Sequence, residues 1–185
     1  MQYHARITRA LTFVTAFGLV VATRVGAQSA QAFSIQVSGL FIGFGGSAYS
    51  EMSSGGGGEA QLRYTSGAMS LGLGYQYTRH TMEGEEGHMS NSGAFIEPRY
   101  VFSTSSPSLA PYLSARLSLL RMSGIMEEDS NGGNVNFGGG ILARLTSRLN
   151  LDFGATYGYT RFSGGISGSG SDLVLRAGLA IGLGG

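Results

Sequence analysis

The feature that most constrains the fold is an alternation between apolar residues and small or polar residues. It is clearest in residues 68–80, where the odd positions from Met69 to Tyr77 are apolar and the even positions are small or polar. Successive side chains of a strand point to opposite faces, so each such segment predicts a strand with one apolar face. Eight segments predict an all-β chain: residues 33–44, 59–65, 68–80, 94–102, 109–122, 135–146, 149–162 and 173–183.

The connections between these segments alternate in length. Short turns at one end and long loops at the other are typical of outer-membrane barrels. No segment after residue 27 reaches 18 consecutive apolar residues, so a membrane would have to be crossed by a closed barrel. The sequence predicts an eight-stranded antiparallel up-and-down transmembrane β-barrel. Its long joins are residues 45–58, 83–91, 123–133 and 164–171, and its short joins are 66–67, 103–108 and 147–148.

The N-terminal segment has the composition of an export signal. Arg6 and Arg9 precede an apolar run at residues 10–22, and Val25-Gly26-Ala27 supplies small residues for cleavage. This arrangement predicts a secretory signal peptide over residues 1–27 and a barrel domain over residues 28–185. We therefore expect an exported protein of the bacterial outer membrane.

Composition excludes several classes of function. The chain has no cysteine, which excludes disulfides and thiolate metal sites. All twelve basic residues are arginine, and three of them (Arg6, Arg9 and Arg24) precede residue 28, which leaves nine arginines against eleven acids. Nucleic-acid binding usually needs a clustered basic surface, so no nucleic-acid partner is expected.

Seven charged residues fall on the small and polar face of the predicted strands. They point into the lumen if the apolar face contacts lipid, where a midplane arginine would cost about 2–4 kcal/mol. An eight-stranded barrel is just wide enough for side chains to fill it. We expect a paired network with a structural or pore-lining role, and favour a packed plug because buried ions need partners. The residues are Arg63, Glu97, Arg99, Arg116, Arg144, Asp152 and Arg176.

Two local details follow from spacing. Glu97 and Arg99 share one face of the fourth strand, and Arg144 can pair with Asp152 if the turn between the sixth and seventh strands holds three residues. In the first strand the apolar residues occupy odd positions up to Val37 and even positions from Leu40 onward. This shift suggests a bulge at Gly39.

Catalytic and metal sites are not expected. His80 is the only histidine on the lumen side of a strand, and no spacing singles out one serine as its partner. Acids at residues 83–86 and 127–129 could hold Ca²⁺ or Mg²⁺ with oxygen ligands, but a solvated charged loop is the favoured interpretation. We therefore predict a non-enzymatic protein without a cofactor.

The mature chain resembles the small outer-membrane β-barrel proteins, a group that includes the outer-membrane protein A membrane domain and the outer-membrane protein W and X types. The resemblance rests on the strand and loop pattern and on residues 93–100 (GAFIEPRY) and 110–113 (APYL). One departure is the C-terminus, since members commonly end in an aromatic residue and this chain ends in residues 181–185 (IGLGG). The resemblance implies diverse activities and selects no single one.

Three functions remain open on these grounds. The first is an envelope-structural or surface-interaction role through the external loops. The second is a narrow porin-like channel for small or hydrophobic solutes, and the third is a soluble secreted lipocalin-like barrel that binds a ligand inside. For the first, the partners implied are outer-membrane lipid and lipopolysaccharide, the barrel assembly machinery and an external ligand or host surface. The expected state is a monomer.

Overall fold

The computed structural model describes residues 31–46, 49, 52–82, 87–106, 108–124, 129–164 and 167–184. The predicted signal peptide lies outside these residues. No helix in the described part of the chain is long and apolar enough to cross a membrane. The elements are β1 (Phe33–Gly45), β2 (Gly55–Ser66), β3 (Met69–Thr81), β4 (His88–Val101), β5 (Leu109–Ser123), β6 (Ser130–Arg144), β7 (Leu149–Gly164) and β8 (Gly168–Leu183).

The eight strands form a closed barrel in chain order, and β8 pairs with β1 to complete it. Every neighbouring pair is antiparallel, which confirms the predicted up-and-down fold. A row of paired residues that leaves β2 at Ser66 returns to β2 at Gly56, a displacement of ten residues. It passes through Met69, Tyr100, Leu113, Gly139, Ala155, Leu175 and Phe41. This stagger tilts the strands relative to the barrel axis.

The polarity of the barrel is inverted relative to a water-soluble protein. Among the described residues, 28 large hydrophobic side chains are exposed, including Leu73 and Leu119. The buried side chains are largely polar or charged, as in Gln36, Glu97 and Arg99. The apolar outer face and the polar lumen follow directly from the alternation in the sequence.

Several strands extend further toward the long loops than the sequence predicts. β2 begins at Gly55 instead of residue 59, β4 at His88 instead of residue 94, and β8 at Gly168 instead of residue 173. The apolar alternation stops where the outer face becomes polar, but backbone pairing continues through glycine and serine. The long loops are correspondingly shorter than predicted.

The predicted bulge at Gly39 is wrong. β1 pairs with β2 in one unbroken register, with Gly39 opposite Gly58 and Leu40 opposite Gly57. Leu40 and Ile42 therefore point inward, where they are buried against Val174. The parity of the apolar residues changes because the lumen itself becomes apolar near the long-loop end.

The lumen is filled in three layers. An apolar layer at the short-turn end contains Val101, Ala110, Tyr112 and Leu142. A charged layer near the middle of the barrel consists of Glu59, Arg63, Glu97, Arg99, Arg116, Asp152 and Arg176. A larger apolar layer at the long-loop end consists of Leu40, Ile42, Phe44, Tyr49, Met52, Met82, Met89, Leu120, Met122, Phe162 and Val174.

Candidate functional site

Glu97 is the centre of the charged layer and accepts hydrogen bonds from four arginines. Its Oε1 atom accepts from Arg63 Nη2 at 2.8 Å and from Arg99 Nε at 2.5 Å. Its Oε2 atom accepts from Arg116 Nη2 at 2.6 Å and from Arg176 Nη1 at 2.8 Å. The carboxylate is fully buried. A buried ion remains charged only where such partners replace water, so these contacts form one coupled unit.

Asp152 is a second acceptor, on the β7 side of the lumen. Arg99 Nη1 donates to its Oδ2 atom at 2.7 Å, and Tyr112 Oη donates to its Oδ1 atom at 2.6 Å. Tyr112 Oη in turn accepts from Arg176 Nη2 at 2.9 Å. Arg99 and Arg176 therefore join the two acids across the barrel, and Tyr112 fixes the position of both partners.

Aromatic rings and glycines complete the packing around the arginines. The Arg99 guanidinium lies 4.3 Å from the centre of the Tyr112 ring, a cation–π distance. A β-carbon at Gly140 or Gly154 would lie 2.5 or 2.6 Å from Tyr112 Oη. Glycine at these two positions therefore makes the room that the tyrosine occupies.

The buried charges balance within the described residues. Four buried arginines face four buried acids, and two of these acids, Glu59 and Asp172, were not among the residues predicted from the sequence. Glu59 Oε2 lies 2.7 Å from Arg116 Nη1. Asp172 lies nearer the long loops and accepts from Asn134, Asn136 and Thr160. These buried side chains therefore carry equal numbers of formal positive and negative charges.

Six of the seven sequence-predicted residues lie in the charged layer, and Arg144 does not. The connection from β6 to β7 spans four residues instead of three, which places Arg144 opposite Asn150 and Asp152 opposite Leu142. Asp152 meets Arg99, Arg176 and Tyr112 instead. The predicted local pair across this turn is replaced by contacts across the lumen, while Arg144 stays half-buried at the short-turn end.

Apolar side chains cover the charged layer on the long-loop side. Tyr49 and Met52 belong to the connection between β1 and β2, and they pack against the buried Phe162 and Met122 cluster. The Tyr49 and Phe162 rings meet edge to face with centres 6.4 Å apart. Met52 also forms an isolated bridge with Met82. This apolar cover separates the charged layer from the external loops.

Two small cavities lie inside the barrel. One cavity of about 30 Å³ lies below the charged layer and is bordered by Gln36, Arg63 and Arg99. A second, of about 10 Å³, lies beside Asp172 and Asn136. These volumes suit about two water molecules and one water molecule respectively. Neither is large enough for an organic ligand.

Among the described residues, His80 hydrogen-bonds to neutral groups. Its Nε2 atom lies 3.0 Å from Thr78 Oγ1, and its Nδ1 atom lies 3.3 Å from the Ser53 carbonyl oxygen. Thr78 is itself fully buried. In the described part of the chain no carboxylate orients the ring, and no cluster of three or more histidine or acidic residues could hold a metal. The acids at residues 83–86, 127 and 128 lie outside the described residues, while Asp129 pairs with Arg121.

The fold was compared with known proteins. No protein-family model matches the chain, and no curated protein matches it. Among solved structures, Neisserial surface protein A aligns at 20% identity over 84% of this chain and 100% of its own, with a TM-score of 0.68. The outer membrane protein OprG from Pseudomonas aeruginosa aligns at 13% identity over 85% and 98%, with a TM-score of 0.55. E. coli outer membrane protein W aligns at 8% identity over 84% and 100%, with a TM-score of 0.50.

The chain has the fold of the small eight-stranded outer-membrane β-barrels. Identities this low carry the fold and no activity. The strand order agrees with that fold, because β8 closes the barrel against β1. The predicted alternation of loop lengths is only partly present: the β7–β8 connection at the long-loop end holds three residues, whereas the β4–β5 connection at the short-turn end holds seven.

Tyr112 offers a direct test of the cross-barrel contacts. Tyr112→Phe removes the donor to Asp152 and the acceptor for Arg176, so we expect the free energy of unfolding to fall by about 1–3 kcal/mol. Urea titration of the folded protein in lipid vesicles measures this. Tyr157→Phe on the exposed outer face is the matched control, with an expected change within about 0.5 kcal/mol. Equal effects of the two substitutions would contradict the assigned hydrogen bonds.

Proposed function

We propose that this protein is a non-enzymatic, non-conducting barrel of the bacterial outer membrane, exported by the N-terminal signal peptide. Its role is structural in the envelope or interactive at the surface, with the external loops as the part that meets a ligand or host surface. The partners implied are membrane lipid and lipopolysaccharide, and the barrel assembly machinery. The protein acts as a monomer in this proposal.

The observation that carries the proposal is the filled lumen. A charged layer centred on Glu97 fills the middle of the barrel, and an apolar cluster that includes Leu120 and Phe162 covers it toward the loops. A hydrated ion would have to separate several buried ion pairs and displace apolar side chains in order to pass. Breaking buried pairs costs several kcal/mol, which supports a closed barrel.

The soluble lipocalin-like alternative fits the polarity of the barrel poorly. A ligand-binding barrel in water presents polar side chains to solvent and encloses an apolar cavity. Here Leu73, Leu119 and Phe137 are exposed on the outside, and the lumen holds buried charged side chains. The two cavities described inside it hold about 30 and 10 Å³. An outer face of this kind is suited to contact with lipid.

Single-channel recording in planar bilayers tests the closed lumen. We expect no unitary conductance from the wild type or from Leu119→Ala, a lipid-face control. A unitary conductance that changes in Arg116→Gln or Arg176→Gln would contradict the proposal. That result would favour the narrow channel for small solutes, because both arginines lie in the middle of the lumen.

A further inference from the structure

Three arginines point outward from the barrel near its long-loop end, and the charged layer does not use them. Arg79 lies on β3, Arg121 on β5 and Arg161 on β7, each close to the end of its strand. All three are exposed, and they occupy the outward positions that are apolar further down the same strands. We call them the arginine belt.

The strand register places Arg79 and Arg121 at nearly the same height along the barrel axis. Arg79 pairs with Ser90, Ser90 pairs with Ser123, and Arg121 lies two residues before Ser123. A paired row that is followed from β3 toward β8 climbs toward the long-loop end, since it leaves β2 at Ser66 and returns at Gly56. The climb is ten residues in eight strands, or about two and a half residues for every two strands. Arg121 lies two residues below Ser123, which nearly cancels this climb and leaves about 1 Å.

The same relation holds for Arg161. Arg121 pairs with Asn131, Asn131 pairs with Ser163, and Arg161 lies two residues before Ser163. Neighbouring members of the belt are two strands apart, so their backbone positions are separated by about 12 Å. The belt is therefore an arc at one level of the outer wall.

The residues between the arginines leave space for a ligand. Ser90 and Ser92 on β4 separate Arg79 from Arg121, and Asn131 and Gly133 on β6 separate Arg121 from Arg161. These side chains are short or absent. Because no long side chain stands between the guanidinium groups, we expect a shallow recess on each side of Arg121.

Within the described residues, the charge of the belt is only partly neutralised. Arg121 forms an ion pair with Asp129, and its side chain stays 65% exposed. Arg79 Nε donates to Tyr77 Oη at 2.9 Å, which is a neutral partner. Arg161 forms no ion pair with any residue in the described part of the chain. Among the residues that the structure describes, the belt thus presents three cations and one paired acid.

Its level matches the polar boundary of a bilayer. Tyr77 and Tyr159 lie two residues below Arg79 and Arg161 on the same outward face, and both are exposed. Tyrosines at this level mark the membrane interface. The arginines therefore lie where lipid headgroups are, and arginine binds phosphate through parallel N–H donors.

We propose that the arginine belt binds a phosphorylated glycolipid headgroup of the outer leaflet. This inference rests on the proposed membrane location and names the lipid chemistry that the location brings to the barrel. Two neighbouring guanidinium groups engage phosphate from either side of a recess, and the serines, Asn131 and Gly133 admit the sugar ring between them. The bound lipid would lie against the outer wall of the barrel between β3 and β7.

The test compares lipid binding by purified, folded protein in detergent, titrated with bisphosphorylated lipid A and with dephosphorylated lipid A. We expect preferential binding of the phosphorylated lipid. Each single substitution, Arg79→Gln, Arg121→Gln or Arg161→Gln, should weaken it about fivefold, and the triple variant on the order of 100-fold. Arg148→Gln is the matched control, since Arg148 is an exposed arginine at the opposite, short-turn end.

The inference would be overturned by equal binding of the two lipids, by an unaffected triple variant, or by a loss in Arg148→Gln as large as in the belt variants. Displacement by inorganic phosphate alone at millimolar concentration would also overturn it, because the site would then be a general anion site. Each variant is first checked for a boiling-dependent gel shift in vesicles. A wild type that fails to insert refutes the proposed function, whereas insertion without lipid preference refutes only the belt.

Discussion

Replacing Glu97 by glutamine is expected to lower the free energy of unfolding by about 3–5 kcal/mol. Glu97 accepts from four arginines while fully buried. Glutamine keeps the size and one acceptor oxygen but removes the charge, so four buried arginines would face three acids. The uncompensated cation must then be buried or hydrated, and either outcome favours the unfolded chain. Urea titration in lipid vesicles, followed by the folded fraction on unboiled gels, measures the loss.

Asp129→Asn is the control for that prediction. Asp129 also pairs with an arginine, Arg121, but on the exposed outer surface. An exposed pair contributes about 0–1 kcal/mol. If Glu97→Gln costs no more than Asp129→Asn, the charged layer is hydrated and loosely packed, and the account of a filled lumen fails. The double variant Glu97→Gln/Arg116→Gln should lose less than the sum of its single variants, because it restores the charge balance.

Replacing Leu73 by arginine is expected to lower the stability of the barrel in a bilayer by about 2–4 kcal/mol. Leu73 points outward from the middle of β3 and is 67% exposed. It lies six residues below Arg79, well inside the apolar band. An arginine there would have to remain in hydrocarbon or pull water and headgroups toward it. The same vesicle-based urea titration measures the effect.

The control places the same residue at the level of the belt. Ser171→Arg lies on the outward face of β8 near the long-loop end, where the cost of arginine falls to about 0–1 kcal/mol. If Leu73→Arg and Ser171→Arg lower the free energy of unfolding by similar, large amounts, the assigned membrane level is contradicted. If both lower it by similar, small amounts, the outer face is not in contact with hydrocarbon.

The alternation of residues predicted the fold because the side-chain period of a strand is local. Each segment needs only its own sequence to show whether its odd or its even positions are apolar. The alternation of loop lengths was predicted less well, because pairing extends toward the long loops and shortens the β7–β8 connection to three residues. Strand ends were predicted less well, as at Gly55, because pairing continues where the outer face is no longer apolar. The error at Gly39 has a different cause. Leu40 and Ile42 are apolar residues that face the lumen, and sequence alone does not tell an apolar lumen from lipid.

The contacts of the site depended on information that the sequence does not display. The choice of lumen-facing charges followed from parity, but their partners depend on the ten-residue stagger of the barrel. That stagger brings Arg99 to Asp152, which are 53 residues apart. Local reasoning paired Asp152 with Arg144 across a turn. Tyr112 was not selected because an inward tyrosine resembles any other aromatic residue of a strand, and its partners are known only once the barrel is closed.

The most direct test of the account is the mobility of purified protein after refolding into lipid vesicles, compared on gels with and without boiling. A closed barrel held by continuous pairing around eight strands and by buried ion pairs should resist detergent at room temperature. We expect the unboiled protein to migrate as a compact species, to shift on boiling and to be recovered with the outer-membrane fraction of cells. A water-soluble protein that does not insert into vesicles and shows no shift would contradict the account.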